Sequence, residues 1–257
     1  QIQGMSGLMD INGDADGVPT KVGFYIGDLV TPLFAAYSIM GALRHKERTG
    51  KGQHIDVSMM DTLTALMFME NLEEDLEAGL PLRTGNISRS GPTGLYHASD
   101  ADILLTAASD DQWRRLTVAL EAPELLGDPK FENYQSRTIN VELARQEIQK
   151  RIGLLTRAEA IKKLEESDVP CGPVRTVAEV AEDPHFANRG SLQPLKHGAM
   201  KNPVKGIASG FPVLFSGGDL PELEGAPTLG MHNSDIYGKL LGFPEDKLEE
   251  LASKGVI

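Results

Sequence analysis

Asp28 is the carboxylate of this chain whose setting points to covalent chemistry. It lies in Gly23-Phe24-Tyr25-Ile26-Gly27-Asp28-Leu29-Val30-Thr31-Pro32, which reads as a short apolar strand handing over to a helix. By residue type alone it is a helix-capping carboxylate. The same group can also attack an activated carbonyl. A second feature is the irregular stretch from Pro81 to Gly94, rich in Gly, Ser and Pro, a linker or an active-site loop. The other reactive side chains offer less. Cys171 sits in a turn beside Pro170 and Gly172 with no base in view, so it reads as buried or inert. His54 and His97 fall on expected strands without metal-ligand spacing, and His232 reads as a local cap or hydrogen-bond partner. Asp10 to Val18 is turn chemistry that looks superficially like a calcium loop, but it lacks the ligand spacing and the terminal bidentate Glu. No metal site is expected.

The elements that must position Asp28 follow from periodicity and turn chemistry. Lys21 to Ile26 reads as a strand. Thr31 as N-cap and Pro32 as first helical residue open a helix, with Leu33, Ala36, Tyr37, Met40 and Leu43 on its apolar face. Its last turn is basic and Gly50 stops it. His54 to Met59 alternates like a strand, and Asp61 or Thr62 caps the next helix, which turns acidic before Gly79. Leu95–Ala98 and Asp102–Ala107 read as a hairpin. Three capping boxes then start helices: Ser109 with Gln112, Thr156 with Glu159, and Thr176 with Glu179. Short extended pieces follow Ser191, and two short helices close the chain, Asn233 to Leu241 and Pro244 to Ser253. Residues 85–190 read as a small α+β domain.

Bulk properties narrow the partners. The chain has 257 residues with 40% hydrophobic and 24% charged side chains, a globular composition. Its net charge of −12 repels the phosphates of nucleic acid and anionic membranes, so neither is an expected partner. One cysteine makes no internal disulfide and fits a reducing cytosol, so a cytoplasmic location is expected. No run is expected to reach membrane-spanning length, and no basic-then-apolar leader opens the chain. The first residues, Gln1-Ile2-Gln3-Gly4, read like the middle of a folded element, as in a fragment.

Several segments, in register along the whole chain, resemble class III (CaiB/BaiF-type) CoA-transferases. Ile26-Gly27-Asp28-Leu29-Val30-Thr31 is similar to that family's catalytic Asp motif. Ala42-Leu43 through Gly52-Gln53, then Ile55-Asp56-Val57-Ser58-Met59-Met60-Asp61, is similar to its most recognisable stretch. Val169-Pro170-Cys171-Gly172-Pro173-Val174, Asp183-Pro184 with Arg189-Gly190, and Ala226-Pro227 with Leu229-Gly230 and His232 resemble its later motifs. Pro32 departs from the glycine that often follows Asp-x-x-Thr. Ser88 to Gly94 lacks the run of glycines of some formyl-CoA transferases, which points away from a formyl or oxalate substrate.

The resemblance implies an α/β fold: the C-terminal part of a Rossmann-like large domain plus a small α+β domain. Residues 1–84 would carry the catalytic Asp and a connecting helix, 85–190 the small domain, and 191–257 a return to the large domain. The family's N-terminal portion would be missing. The resemblance further implies Asp28 as nucleophile, Met59 in the CoA pocket, and Ser90, Gly91 and Gly94 as the substrate loop that supplies oxyanion donors. Coenzyme A and acyl-CoA would be substrates, with a small carboxylic acid as co-substrate. No cofactor would be bound permanently, and the chain would form a homodimer, interlocked when full-length. Two alternatives accompany this reading. One is an α-methylacyl-CoA racemase-like proton exchange with Asp28 as base, and the other is an inactive truncated remnant.

Overall fold

The structure is a computed structural model, and it describes residues 1–67, 72–77, 79, 82–88, 91–197, 206–218 and 225–257. The chain divides into two compact units, Gln1–Val174 and Arg175–Ile257.

The first unit begins with two short helices, α1 (Ile2–Met5) and α2 (Leu8–Ile11). They are followed by α3 (Ile26–Thr49), α4 (Met59–Met67) and α5 (Leu72–Glu77). Their contacts form a small core of Leu8, Leu63, Met67 and Leu72, with Ile2, Val22 and Ile26 packed against it. Lys21 to Tyr25 makes no strand. α3 starts at Ile26, five residues before the expected cap at Thr31, and Pro32 lies inside it. Pro32 has no N–H to donate to the carbonyl four residues back, which is that of Asp28. The far end follows the rules: Gly50 takes φ +72 and its N–H donates to Lys46 O at 2.8 Å. His54 to Ser58 is likewise not a strand. Ile55 and Val57 are half-buried in alternation, but among the described residues no neighbour pairs with their backbone. Alternation reports burial of one face, whereas a strand also needs a ladder partner. α4 is capped one turn earlier than expected, by Ser58, whose Oγ accepts from Asp61 N at 3.2 Å.

The apolar face of α3 is exposed at Leu29, Leu33, Tyr37, Met40 and Leu43. Among the described residues α3 is long and apolar enough, by length and composition, to cross a membrane. The sequence expectation that no run reaches that length is thus corrected. A core helix of a soluble protein meets the same test, so the observation establishes an unpartnered apolar face and no more.

The larger core of this unit is built on an antiparallel sheet in the order β1 (Gly94–His97), β2 (Asp102–Leu105) and β3 (Cys171–Pro173). The hairpin is as expected, with Gly94 opposite Leu105 and His97 opposite Asp102. β3 is new, since the Pro-Cys-Gly-Pro stretch reads as a turn until β2 is found beside it, Leu105 opposite Cys171. Helices α6 (Asp110–Ala119), α7 (Tyr134–Ile139), α8 (Val141–Ile152) and α9 (Arg157–Glu166) cover the sheet. Tyr96, Ile103, Trp113, Leu116, Ile148, Ile152 and Leu164 fill the space between. The Ser109 and Thr156 capping boxes form in full.

In the second unit α10 (Val177–Glu182) starts at the Thr176 capping box, and Asp183 caps α11 (Pro184–Asn188) by accepting from His185 N at 2.8 Å. Arg175 pairs with Asp183. A two-stranded ribbon, β4 (Leu192–Pro194) with β5 (Ile207–Ser209), is followed by a wide π-type helical stretch at Ser234–Leu240 and by α12 (Glu245–Ser253).

Candidate functional site

Asp28 is the third residue of α3, in its first turn, and its side chain is exposed. The free N–H groups and dipole of that turn favour a negative charge there. Among the described residues the Asp28 carboxylate has no hydrogen-bond or ion-pair partner. A carboxylate engaged as a cap would have one. Asp28 is therefore presented, not consumed, by the helix start. Its own carbonyl also lacks the helical bond that Pro32 cannot supply.

Close packing sets the place of this turn. Gly27 is buried, and a Cβ built there would lie 2.8 Å from Ile2 Cγ2 and 3.8 Å from Leu63 Cδ1. α1 and α4 thus grip α3 one residue before Asp28. Met59 opens α4 one turn before Leu63, on the same helical face, and is 39% exposed. Asp28 and Met59 are exposed residues on the two helices, α3 and α4, that pack together at Gly27 and Leu63. Replacing Pro32 by Ala restores the N–H toward Asp28 and should raise stability by roughly 1–2 kcal/mol. The thermal midpoint reads this out, and a fall would show that the proline geometry is needed by the α1–α4 packing.

The loop candidates lie on the other core of the same unit. Ser90 falls outside the described residues. Gly91 is buried, with φ +72, a left-handed conformation suited to glycine. Its N–H has no hydrogen-bond partner among the described residues. Buried backbone donors are nearly always satisfied, so an open one is what an oxyanion needs. Gly94 is different. It is the first residue of β1, with φ +146, and a Cβ would sit 2.3 Å from Asn86 O. Glycine is required there for close approach of two backbone segments, and the residue is enclosed in the sheet. No hydrogen bond among the described residues joins the Asp28 turn to this loop. The approach to the loop is nevertheless tied to the N-terminal segment, because Arg83 bonds Asp10 O and Oδ1 and Gly85 N donates to Gly13 O at 2.9 Å.

A cavity of about 670 Å³ lies beside the loop, lined by Asp14, Gly85, Ile87, Leu95, Tyr96 and Arg145 among others. Asp28 does not line it. Burial, before the nearby Glu165, pushes the Cys171 thiol up, away from the thiolate a nucleophile would need. His97 Nδ1 lies 2.7 Å from Asp102 Oδ1, a cross-strand pair in the hairpin. No group of three or more His, Cys, Asp or Glu able to hold a metal occurs among the described residues. Tyr96 and Arg145 escaped sequence reasoning; an alternating aromatic and a helical arginine carry no local signal of their contacts.

Comparison with known proteins decides the family. The sequence profile described as CoA-transferase family III matches residues 1–233. The chain belongs to CoA-transferase family III. A succinyl-CoA:mesaconate CoA-transferase of Haloarcula hispanica is 31% identical over 236 residues, covering 91% of this chain and 58% of the relative. An acetyl-CoA:oxalate CoA-transferase of Acetobacter aceti is 34% identical over 249 residues, covering 96% of this chain and 62% of the relative. The chain thus spans about three fifths of the length of these family members. The crystal structure of a CaiB/BaiF family protein from Brucella suis superposes with a TM-score of 0.74 at 30% identity, over 93% of this chain and 61% of that one. A Mycobacterium tuberculosis protein superposes at 0.76 with 21% identity, over 91% and 61%, which bears on fold alone. The chain therefore has the mixed α/β fold of the class III CoA-transferases.

Proposed function

We propose that this protein moves CoA from an acyl-CoA donor to a small carboxylic acid, with Asp28 as the covalent carrier. The observation that carries the reading is an unpartnered carboxylate on the first turn of α3, inside the family's matched segment. The Asp28 carboxylate attacks the donor's thioester carbonyl. The C–S bond breaks, leaving an aspartyl-acyl anhydride and CoA thiolate. The thiolate attacks the aspartyl carbonyl, the donor acid leaves as carboxylate, and an aspartyl-CoA thioester remains. The acceptor acid attacks that thioester to give a new anhydride and thiolate. The thiolate then takes the new acyl group and restores the Asp28 carboxylate. Charge and atoms balance at each exchange. Each tetrahedral oxyanion needs a pre-aimed donor, a role we assign to Gly91 N–H. Met59, on the partly exposed face of α4, borders the CoA thiol region in this reading.

The relatives' names support transfer over racemisation, since they are called transferases for mesaconate, glutarate, citramalate and oxalate. Their range leaves the acid of this protein to be found by a substrate panel. The test of the carrier is mass spectrometry of the natural protein mixed with succinyl-CoA. A CoA-sized adduct on the peptide holding Asp28, discharged by added acid, is expected. Solvent deuterium entering the α-carbon of a branched acyl-CoA without CoA exchange would replace this reading by the racemase one.

A further inference from the structure

The loop carrying Gly91 is closed at its base by backbone pairing. Leu95 N donates to Asn86 O at 3.0 Å, Ser88 N donates to Thr93 O at 2.9 Å, and Ala107 N donates to Thr93 Oγ1 at 3.0 Å. These bonds fix residues 86–88 against 93–95. Gly91 and Pro92 lie outside these pairs. Among the described residues Gly91 and Pro92 have one hydrogen-bonded tie: Tyr96 Oη donates to Pro92 O at 2.5 Å. Tyr96 is fully buried in the larger core, so its ring cannot swing away without opening that core. Arg145, from α8, lies over the ring at 4.8 Å and donates from Nη2 to Leu95 O at 3.0 Å. Its Nη1 is buried without a partner, 3.0 Å from where a Gly94 Cβ would be, so the guanidinium fills the space beneath the start of β1. Ring and guanidinium thus form a stack under the loop, and the Tyr96 hydroxyl is its contact with the tip.

We propose that Tyr96 is a positioning residue that clamps Pro92 and thereby holds the Gly91–Pro92 part of the loop against the sheet. Its catalytic consequence rests on the transferase reading given above. With φ of Pro92 fixed by its ring, holding its carbonyl leaves one backbone torsion, its ψ, between the clamp and the peptide that joins it to Gly91. Burial is the main force raising the Tyr96 pKa, against the opposing charge of Arg145, so the hydroxyl keeps its proton and remains a donor at all ordinary pH.

Tyr96→Phe tests the clamp, since it removes the hydroxyl and keeps the ring in the core. Two readouts are needed on the same protein. Amide hydrogen exchange at Ser88, whose N–H donates to Thr93 O beside the clamped proline, should speed by about 10-fold or more, with Leu105 and Ile148 unchanged. Steady-state CoA transfer from succinyl-CoA should show kcat down by about 10-fold with KM within about twofold, as expected when a donor is misplaced in the transition state alone. A general loss of structure would instead speed exchange at all three amides. Unchanged exchange at Ser88 overturns the clamp, and unchanged kcat in an active protein overturns its catalytic consequence. Wild-type protein that transfers CoA to no acid in the panel overturns the transferase reading, and exchange at Ser88 then decides the clamp alone.

Discussion

Asp28→Asn is expected to abolish CoA transfer, lowering kcat by about 1000-fold or more, because the amide cannot form the anhydride or the aspartyl thioester. The substitution is isosteric and falls on an exposed side chain without partners, so the fold should be untouched and the thermal midpoint should stay within about 1 °C of wild type. That pairing of a large kinetic effect with a null structural one distinguishes a nucleophile from a cap. A cap would behave the opposite way, costing about 1 kcal/mol of stability with little change in chemistry. The variant should also accumulate no CoA adduct when mixed with succinyl-CoA. Full activity in Asp28→Asn would end the case for this carboxylate as carrier.

How much of this was legible beforehand depends on how local each feature is. The Ser109, Thr156 and Thr176 boxes form as the spacing requires, since a cap is decided by four residues and their own backbone. The hairpin at Gly94–His97 and Asp102–Leu105 is nearly as local. Strands are not. Lys21 to Ile26 and His54 to Met59 carry strand-like patterns, yet neither pairs, because pairing needs a neighbour the pattern does not specify. β3 fails in the other direction. Cys171-Gly172-Pro173 has no alternation to announce it, and β2, far upstream, makes it a strand. The start of α3 was misplaced because Thr31-Pro32 is a good local entry, while the packing of Gly27 between Ile2 and Leu63 favours an earlier one.

The site shows the same division. Asp28 is marked as a candidate by its flanking motif, and Gly91 is a candidate because the resemblance implies it. That Asp28 and the Gly91 N–H have no partner among the described residues is visible only in three dimensions, and so is the Tyr96 bond to Pro92. These are the features that turn a family likeness into a statement about this chain's chemistry. Asp28 sits on a gripped helix turn and Gly91 on a loop tied to a packed sheet, and under the proposed function these elements would hold nucleophile and donor in place.

The stability of that sheet depends on a residue no pattern marks. Arg137, on α7, is fully buried. Its guanidinium donates to Phe131 O at 3.2 Å and Ala108 O at 3.4 Å, pairs with Asp110 at 2.5 Å, and lies 5.5 Å from the centre of the Trp113 ring. The group therefore ties α7 and the Phe131 segment to the N-terminal end of α6. Its partner Asp110 is 65% exposed, so removing the arginine leaves a solvated carboxylate, not a stranded charge. The cost comes from two carbonyls that lose their donor and from the vacated volume beside Trp113. Arg137→Met refills much of that volume with an apolar side chain but satisfies neither carbonyl. It should destabilise the first unit by about 2–4 kcal/mol, seen as a lower denaturant midpoint with the slope preserved. Asp110→Asn leaves both carbonyl bonds in place and keeps a polar acceptor for the guanidinium, so its cost should be smaller, about 1 kcal/mol. If the aspartate variant proves the more damaging, the buried charge itself dominates, and the carbonyl account of Arg137 is wrong.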